Sequence, residues 1–117
     1  MLSAFVESVR EHDAISPARL GERLHMPVAR LARLARLHRN TLSLNPDSPA
    51  AQERLGEIAR IVAEAADLAG DEGRAIVWFR HQPLPGFGGE TAEELVGQGH
   101  AAAVIHYLAG LRDGVYA

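Results

Sequence analysis

The side chains that could do chemistry are six His, at positions 12, 25, 38, 81, 100 and 106, and 15 carboxylates; there is no Cys. Without Cys there is no thiol nucleophile, disulfide or thiolate metal site. No two His stand at the i, i+4 spacing that places two imidazoles on one helix face, and His100 and His106 point in different directions. Glu53, Glu57, Glu64 and Asp67 read as the solvated side of a long helix, and Glu93-Glu94 has no convergent partner in the sequence. Gly86, Gly88 and Gly89 lack the preceding strand and the spacing of a dinucleotide fingerprint, so a Pro/Gly loop explains them. No nucleophile is matched with a base. Neither an enzyme nor a bound cofactor or metal is expected.

The Arg residues carry a different chemistry. Residues 1–45 hold seven Arg against four acids, whereas residues 46–117 hold five Arg against eleven acids. A basic head and an acidic tail imply two faces with different partners. Residues 28–45, VARLARLARLHRNTLSLN, resemble a helix-turn-helix. Ala32 is small where two helices must approach, Leu37 plugs the turn and Leu42 anchors the second helix. Arg33, Arg36, His38, Arg39, Asn40 and Thr41 are then the DNA-contact set. Arg39 and Asn40 suit base edges, because guanidinium pairs bidentately with guanine and a carboxamide with adenine. Arg33 and Arg36 suit phosphates.

A second register competes. Leu20, Gly21, Leu24, Met26, Leu31 and Leu34 fit the same template, with residues 28–36 as the recognition helix. Each register puts a residue other than Gly at the left-handed turn position, Arg36 in the first and His25 in the second. The first is preferred because Leu37 to Leu42 looks like the turn and recognition segment of bacterial repressors. The modest charge of the head implies that tight operator binding needs a dimer or a larger complex.

The elements that must position these residues follow from caps and periodicity. Leu2, Phe5, Val6 and Val9 predict an amphipathic helix over 2–12. Ser16-Pro17 and Ser48-Pro49 each read as an N-cap followed by Pro in the first turn. The first opens a helix ending near His25, followed by helices over about 27–35 and 38–44. The second opens the longest helix, to Ala69, stopped by Gly70, with an apolar seam of Leu55, Ile58, Ile61, Val62, Ala65 and Leu68. Asp71 caps a helix ending in Trp78-Phe79-Arg80, with Trp78 expected in the core. After the 83–90 loop, Thr91 and Glu94 form a capping box, and a last helix runs from His100 to Asp113. No alternating strand pattern is visible. The fold class is all-α: a head over 1–46, a long connecting helix over 47–70 and a C-terminal unit over 71–117.

Trp78-Phe79, Pro83, Gly89, Thr91-Ala92-Glu93-Glu94-Leu95-Val96, Gly99, Val104, Leu108 and Gly114-Val115-Tyr116-Ala117 occur in a recognisable order. In that order the segment resembles the toxin-binding domain of the Xre/MbcA/ParS antitoxins. One departure is the loop, Pro83-Leu84-Pro85-Gly86-Phe87-Gly88-Gly89, where the family often has Pro-Asn followed by Leu-Gly-Gly. The resemblance implies a protein partner, a RES-domain toxin that degrades NAD or transfers its ADP-ribose, and repression of the shared promoter through operator DNA. It implies toxin contacts from Leu95, Val96, Val104 and Leu108, and an inhibitory tail of Val115, Tyr116 and Ala117 near the NAD site. A homodimer or a hetero-oligomer with the toxin is expected.

No apolar stretch approaches the roughly 20 residues of a membrane span, and Met1 to Arg10 lacks the pattern of a signal peptide, so a cytoplasmic protein with no membrane partner is expected. Two other readings stay open: a transcriptional regulator with a C-terminal dimerisation domain, and a protein-binding adaptor without DNA contact.

Overall fold

Phe5 and Val9 recur one helical turn apart and both are buried, Phe5 within α1 (Leu2–Ser8) and Val9 just after it. The structure, a computed structural model, describes residues 2–114, with side chains from Ala4 onward. The helix is shorter than its periodicity predicts. At Arg10 the chain turns into an antiparallel hairpin of β1 (Arg10–Glu11) and β2 (Ala14–Ile15). His12 and Asp13 at its tip have φ of 54° and 65°. Two consecutive left-handed residues are what a tight hairpin turn requires, and Asp and His tolerate that region better than most residues. Strands of two residues are too short to show an alternation, which is why the sequence pattern misses them. Gln52 fastens the hairpin by accepting from Ile15 N (2.9 Å) and donating to Ile15 O (3.0 Å) and Pro46 O (2.8 Å).

Three short helices complete the head: α2 (Pro17–Leu24), α3 (Val28–Leu34) and α4 (Arg39–Leu44). Ser16 caps α2 by accepting from Arg19 N, as its Ser-Pro signature predicts. Gly21 is needed for its size, because a Cβ there would stand 2.9 Å from Met26 O. α5 (Pro49–Ala69) starts at its Ser48 cap and stops at Gly70, whose φ of 74° ends the helix. Leu55, Ile58, Ile61, Val62 and Ala65 are buried along it, but Leu68, expected in the same seam, is 43% exposed. Leu68 lies in the last turn of α5, on the rim of a hollow shared with α6.

α6 (Glu72–His81), α7 (Ala92–Gly97) and α8 (Ala101–Arg112) form the C-terminal unit. The capping box at Thr91 is complete: Glu94 N donates to Thr91 Oγ1 and Thr91 N donates to Glu94 Oε1. α5 packs against α1, α6 and α8, and α3 packs against α7. One hydrophobic cluster therefore runs from Phe5 to Leu108 through head, connecting helix and C-terminal unit. The radius of gyration, 13.5 Å, is about that of one compact unit of this length. Among the described residues no helix is long and apolar enough to cross a membrane.

Candidate functional site

The candidate surface of the head is built by the α3–α4 corner. The chain leaves α3 through Ala35 and reverses at Arg36, whose φ is 56°. Arg54, reaching from α5, donates through Nη1 to the carbonyls of Arg36 (2.6 Å) and Ala35 (3.4 Å) and holds the corner in place. His38 caps α4, its Nδ1 accepting from Asn40 N at 3.1 Å. That bond assigns the unprotonated nitrogen to Nδ1 and leaves the Nε2–H free to donate. Arg33, His38, Arg39 and Asn40 line one shallow hollow of about 370 Å³, floored by Ala32 and Leu37. Four of the six expected DNA-contact residues thus share a face. Thr41 is half-buried, and the exposed Arg36 lies over Gly99 of the α7–α8 loop, its guanidinium about 3.2 Å from where a Cβ would be.

Backbone geometry does not separate the two registers. His25, the turn residue of the second, has φ 58°, matching Arg36. All five of its large apolar positions, Leu20, Leu24, Met26, Leu31 and Leu34, are buried, as its template asks. What separates the helices is access. α3 lies against α7, with Leu34 near Gly97, and Arg30 is held by Glu93 at 2.7 Å. α4 buries only Leu42 and leaves Arg39, Asn40 and Ser43 exposed.

In the C-terminal unit the structure reassigns several residues. Leu95, Val96, Val104 and Leu108, expected to contact a toxin, are 4%, 5%, 0% and 1% exposed. They belong to the hydrophobic core, and Leu108 also lies at the base of a hollow between α5 and α6. Val115, Tyr116 and Ala117 lie outside the described residues. Trp78, expected in the core, is only half-buried, and its neighbour Phe79 is fully buried instead. Glu93 does have convergent partners: Arg30 at 2.7 Å and Arg80 at 3.4 Å. Glu64 is not on a solvated face. It is 3% exposed and bound by Arg60 at 2.7 Å and Arg112 at 2.8 Å. Two long Arg side chains from α5 and α8 close over it, and spacing along one helix cannot reveal the second.

Arg80 extends this web into the head, donating through Nη1 to the carbonyls of Leu24 (3.2 Å) and His25 (3.0 Å) at the end of α2. A cation there satisfies carbonyls that the helix leaves unpaired. Arg80 Nε and Glu93 Oε1 are buried and meet without an aligned hydrogen bond, so their attraction is Coulombic. Arg23 of α2 grips Glu72 of α6 in a bidentate pair, which raises the guanidinium further above its ordinary range. Head and C-terminal unit are therefore locked together by charge as well as by apolar contact.

A second hollow, of about 320 Å³, lies between the end of α5 and α6, lined by Leu68, Ala69, Arg74, Ala75 and Trp78 with Leu108 at its base. Val77, beside Trp78, is 59% exposed. The sequence held a signal for this surface. Three consecutive large apolar residues, Val77-Trp78-Phe79, span too wide an arc of a helix for all to face one core. Among the described residues, no group of three His, Asp or Glu side chains is placed to hold a metal ion.

Residues 64–114 match the family described as Antitoxin Xre/MbcA/ParS C-terminal toxin-binding domain. The match spans α6 to α8 and the last turn and a half of α5, the same region in which the sequence motifs occur. No curated protein and no solved structure matches the chain.

Proposed function

We propose that this chain, whose residues 64–114 match the toxin-binding domain family of the Xre/MbcA/ParS antitoxins, binds and inhibits a RES-type, NAD-consuming toxin and represses its own operon by binding DNA through its head. The observation that carries this reading is the match of residues 64–114 to a toxin-binding domain family, which supports an antitoxin role. The DNA half is supported by the shared face of Arg33, His38, Arg39 and Asn40 on a corner held by Arg54. Guanidinium and carboxamide groups on an exposed short helix are the donors and acceptors that read a major groove.

The division of labour follows from the charge. The head carries the Arg excess and meets phosphate, while the acidic C-terminal unit meets protein. Val115, Tyr116 and Ala117 would cover the NAD pocket of the toxin, with affinity coming from the folded surface behind them. The exposed Leu68 and Val77 favour a second reading, in which that apolar face joins two copies of a transcriptional regulator that has no toxin partner. Co-expression with the product of an adjacent reading frame of the RES type separates the two. The proposal expects a complex that co-elutes in size-exclusion chromatography and shifts the upstream promoter fragment in a gel. A chain that shifts the promoter but leaves the co-expressed protein unbound supports the regulator.

A further inference from the structure

Three large hydrophobic residues are exposed among the described residues: Leu44, Leu68 and Val77. Leu44 stands alone at the end of α4. Leu68 lines one hollow together with Trp78 and Arg74 at the α5–α6 corner, and Val77 is exposed next to Trp78 in sequence. Arg74 stands one turn before Trp78 on α6, and its guanidinium has no ion-pair partner among the described residues. An apolar hollow with a half-buried indole and an unspent cation on its rim has the composition of an interface centre, where Trp and Arg dominate binding energy.

We propose that this α5–α6 hollow is the surface on which the toxin docks, receiving an apolar side chain that stands next to a carboxylate. The apolar side chain would lie between Leu68 and Trp78, and the carboxylate would pair with Arg74. The inference rests on the antitoxin reading and deepens it by naming the surface. Two observations commit the hollow to the toxin and not to a second copy. Every residue of it lies within 64–114, the segment matched by the toxin-binding domain family. Of the four side chains expected to contact a toxin, Leu95, Val96 and Val104 are buried away from the hollow, and Leu108 lies at its base.

The test uses the full chain and, as probe, the toxin encoded by the adjacent reading frame. Leu68→Glu, Val77→Glu and Arg74→Glu are compared with wild type and with Ala50→Glu, an exposed position at the far end of α5. Circular dichroism and melting confirm that each variant folds. Leu68→Glu is expected to weaken toxin binding by at least about 30-fold, the scale at which an interface centre is defined, and Val77→Glu, outside the hollow, by less. Arg74→Glu is expected to weaken it by about 10-fold, with the loss shrinking as salt is raised, because the term removed is a rim charge. Ala50→Glu should bind as wild type. Folded variants that hold the toxin within about twofold of wild type overturn the docking surface and leave the antitoxin reading intact. The surface is equally overturned if the variants turn a dimer into a monomer while toxin affinity is unchanged, which would assign the hollow to a second copy. A wild-type chain that binds no toxin rejects the underlying reading itself.

Discussion

Trp78 and Phe79 divide two tasks that the sequence presents as one aromatic pair. The helix turns about 100° per residue, so only one ring can point at the core. Phe79 is fully buried and Trp78 rims the α5–α6 hollow. Phe79→Ala is expected to cost about 3–5 kcal/mol of stability, a large share of the margin of a small domain. Trp78→Ala should cost clearly less, and thermal melting of the two variants side by side checks the order. At Glu93, Arg80 is mostly buried and the carboxylate faces two cations. Glu93→Gln removes the charge that compensates Arg80 and is expected to lower stability by about 3 kcal/mol, read from urea unfolding. In the head, Arg39→Ala is expected to weaken operator binding by about 1–3 kcal/mol and to relax sequence preference, as loss of a bidentate base contact does. Arg33→Ala should weaken all sequences alike. Gel shifts with operator and scrambled fragments distinguish these outcomes, and a loss confined to Arg30 and Arg33 variants would move recognition from α4 to α3.

Elements with chemical punctuation were legible in the sequence. Ser-Pro at 16–17 and 48–49, Gly70, Asp71 and the Thr91–Glu94 box each fix a helix end through a local hydrogen bond or a left-handed residue, which needs no tertiary information. Thr91→Ala should therefore behave as a cap deletion, losing about 1 kcal/mol, with hydrogen exchange faster in the first turn of α7. What depended on long-range contact was not legible. The hairpin at 10–15 has two residues per strand and is held by Gln52, more than thirty residues away in sequence. Glu64 looked solvated and Glu93 looked unpartnered because Arg112, Arg30 and Arg80 come from other helices. The side chains of α7 and α8 read as a binding face, but amphipathic spacing marks a buried stripe without saying whether the cover is the same chain or a partner. Leu68 has the spacing of the α5 seam and is exposed all the same, and Val77 is exposed beside the Trp78–Phe79 pair.

At the scale of the molecule, one cluster runs through all three segments, and the Arg80–Glu93–Arg30 and Arg23–Glu72 bridges tie the head to the C-terminal unit. A single cooperative melting transition is expected, with circular dichroism and Trp78 fluorescence reporting the same midpoint; two separated midpoints would show that head and C-terminal unit fold apart. On the proposed function, a toxin docked on α6 would act on a body that also holds the proposed DNA-facing corner. The central claim is that this body neutralises an NAD-consuming toxin, and it is tested most directly by NAD consumption in the purified complex. The RES-type protein of the adjacent reading frame is assayed alone, with the full chain, and with a chain lacking residues 115–117. The account predicts rapid NAD loss alone, none with the full chain, and recovered NAD loss with the shortened chain although the complex still co-elutes. NAD loss that continues unchanged in a stoichiometric complex with the full chain would contradict it.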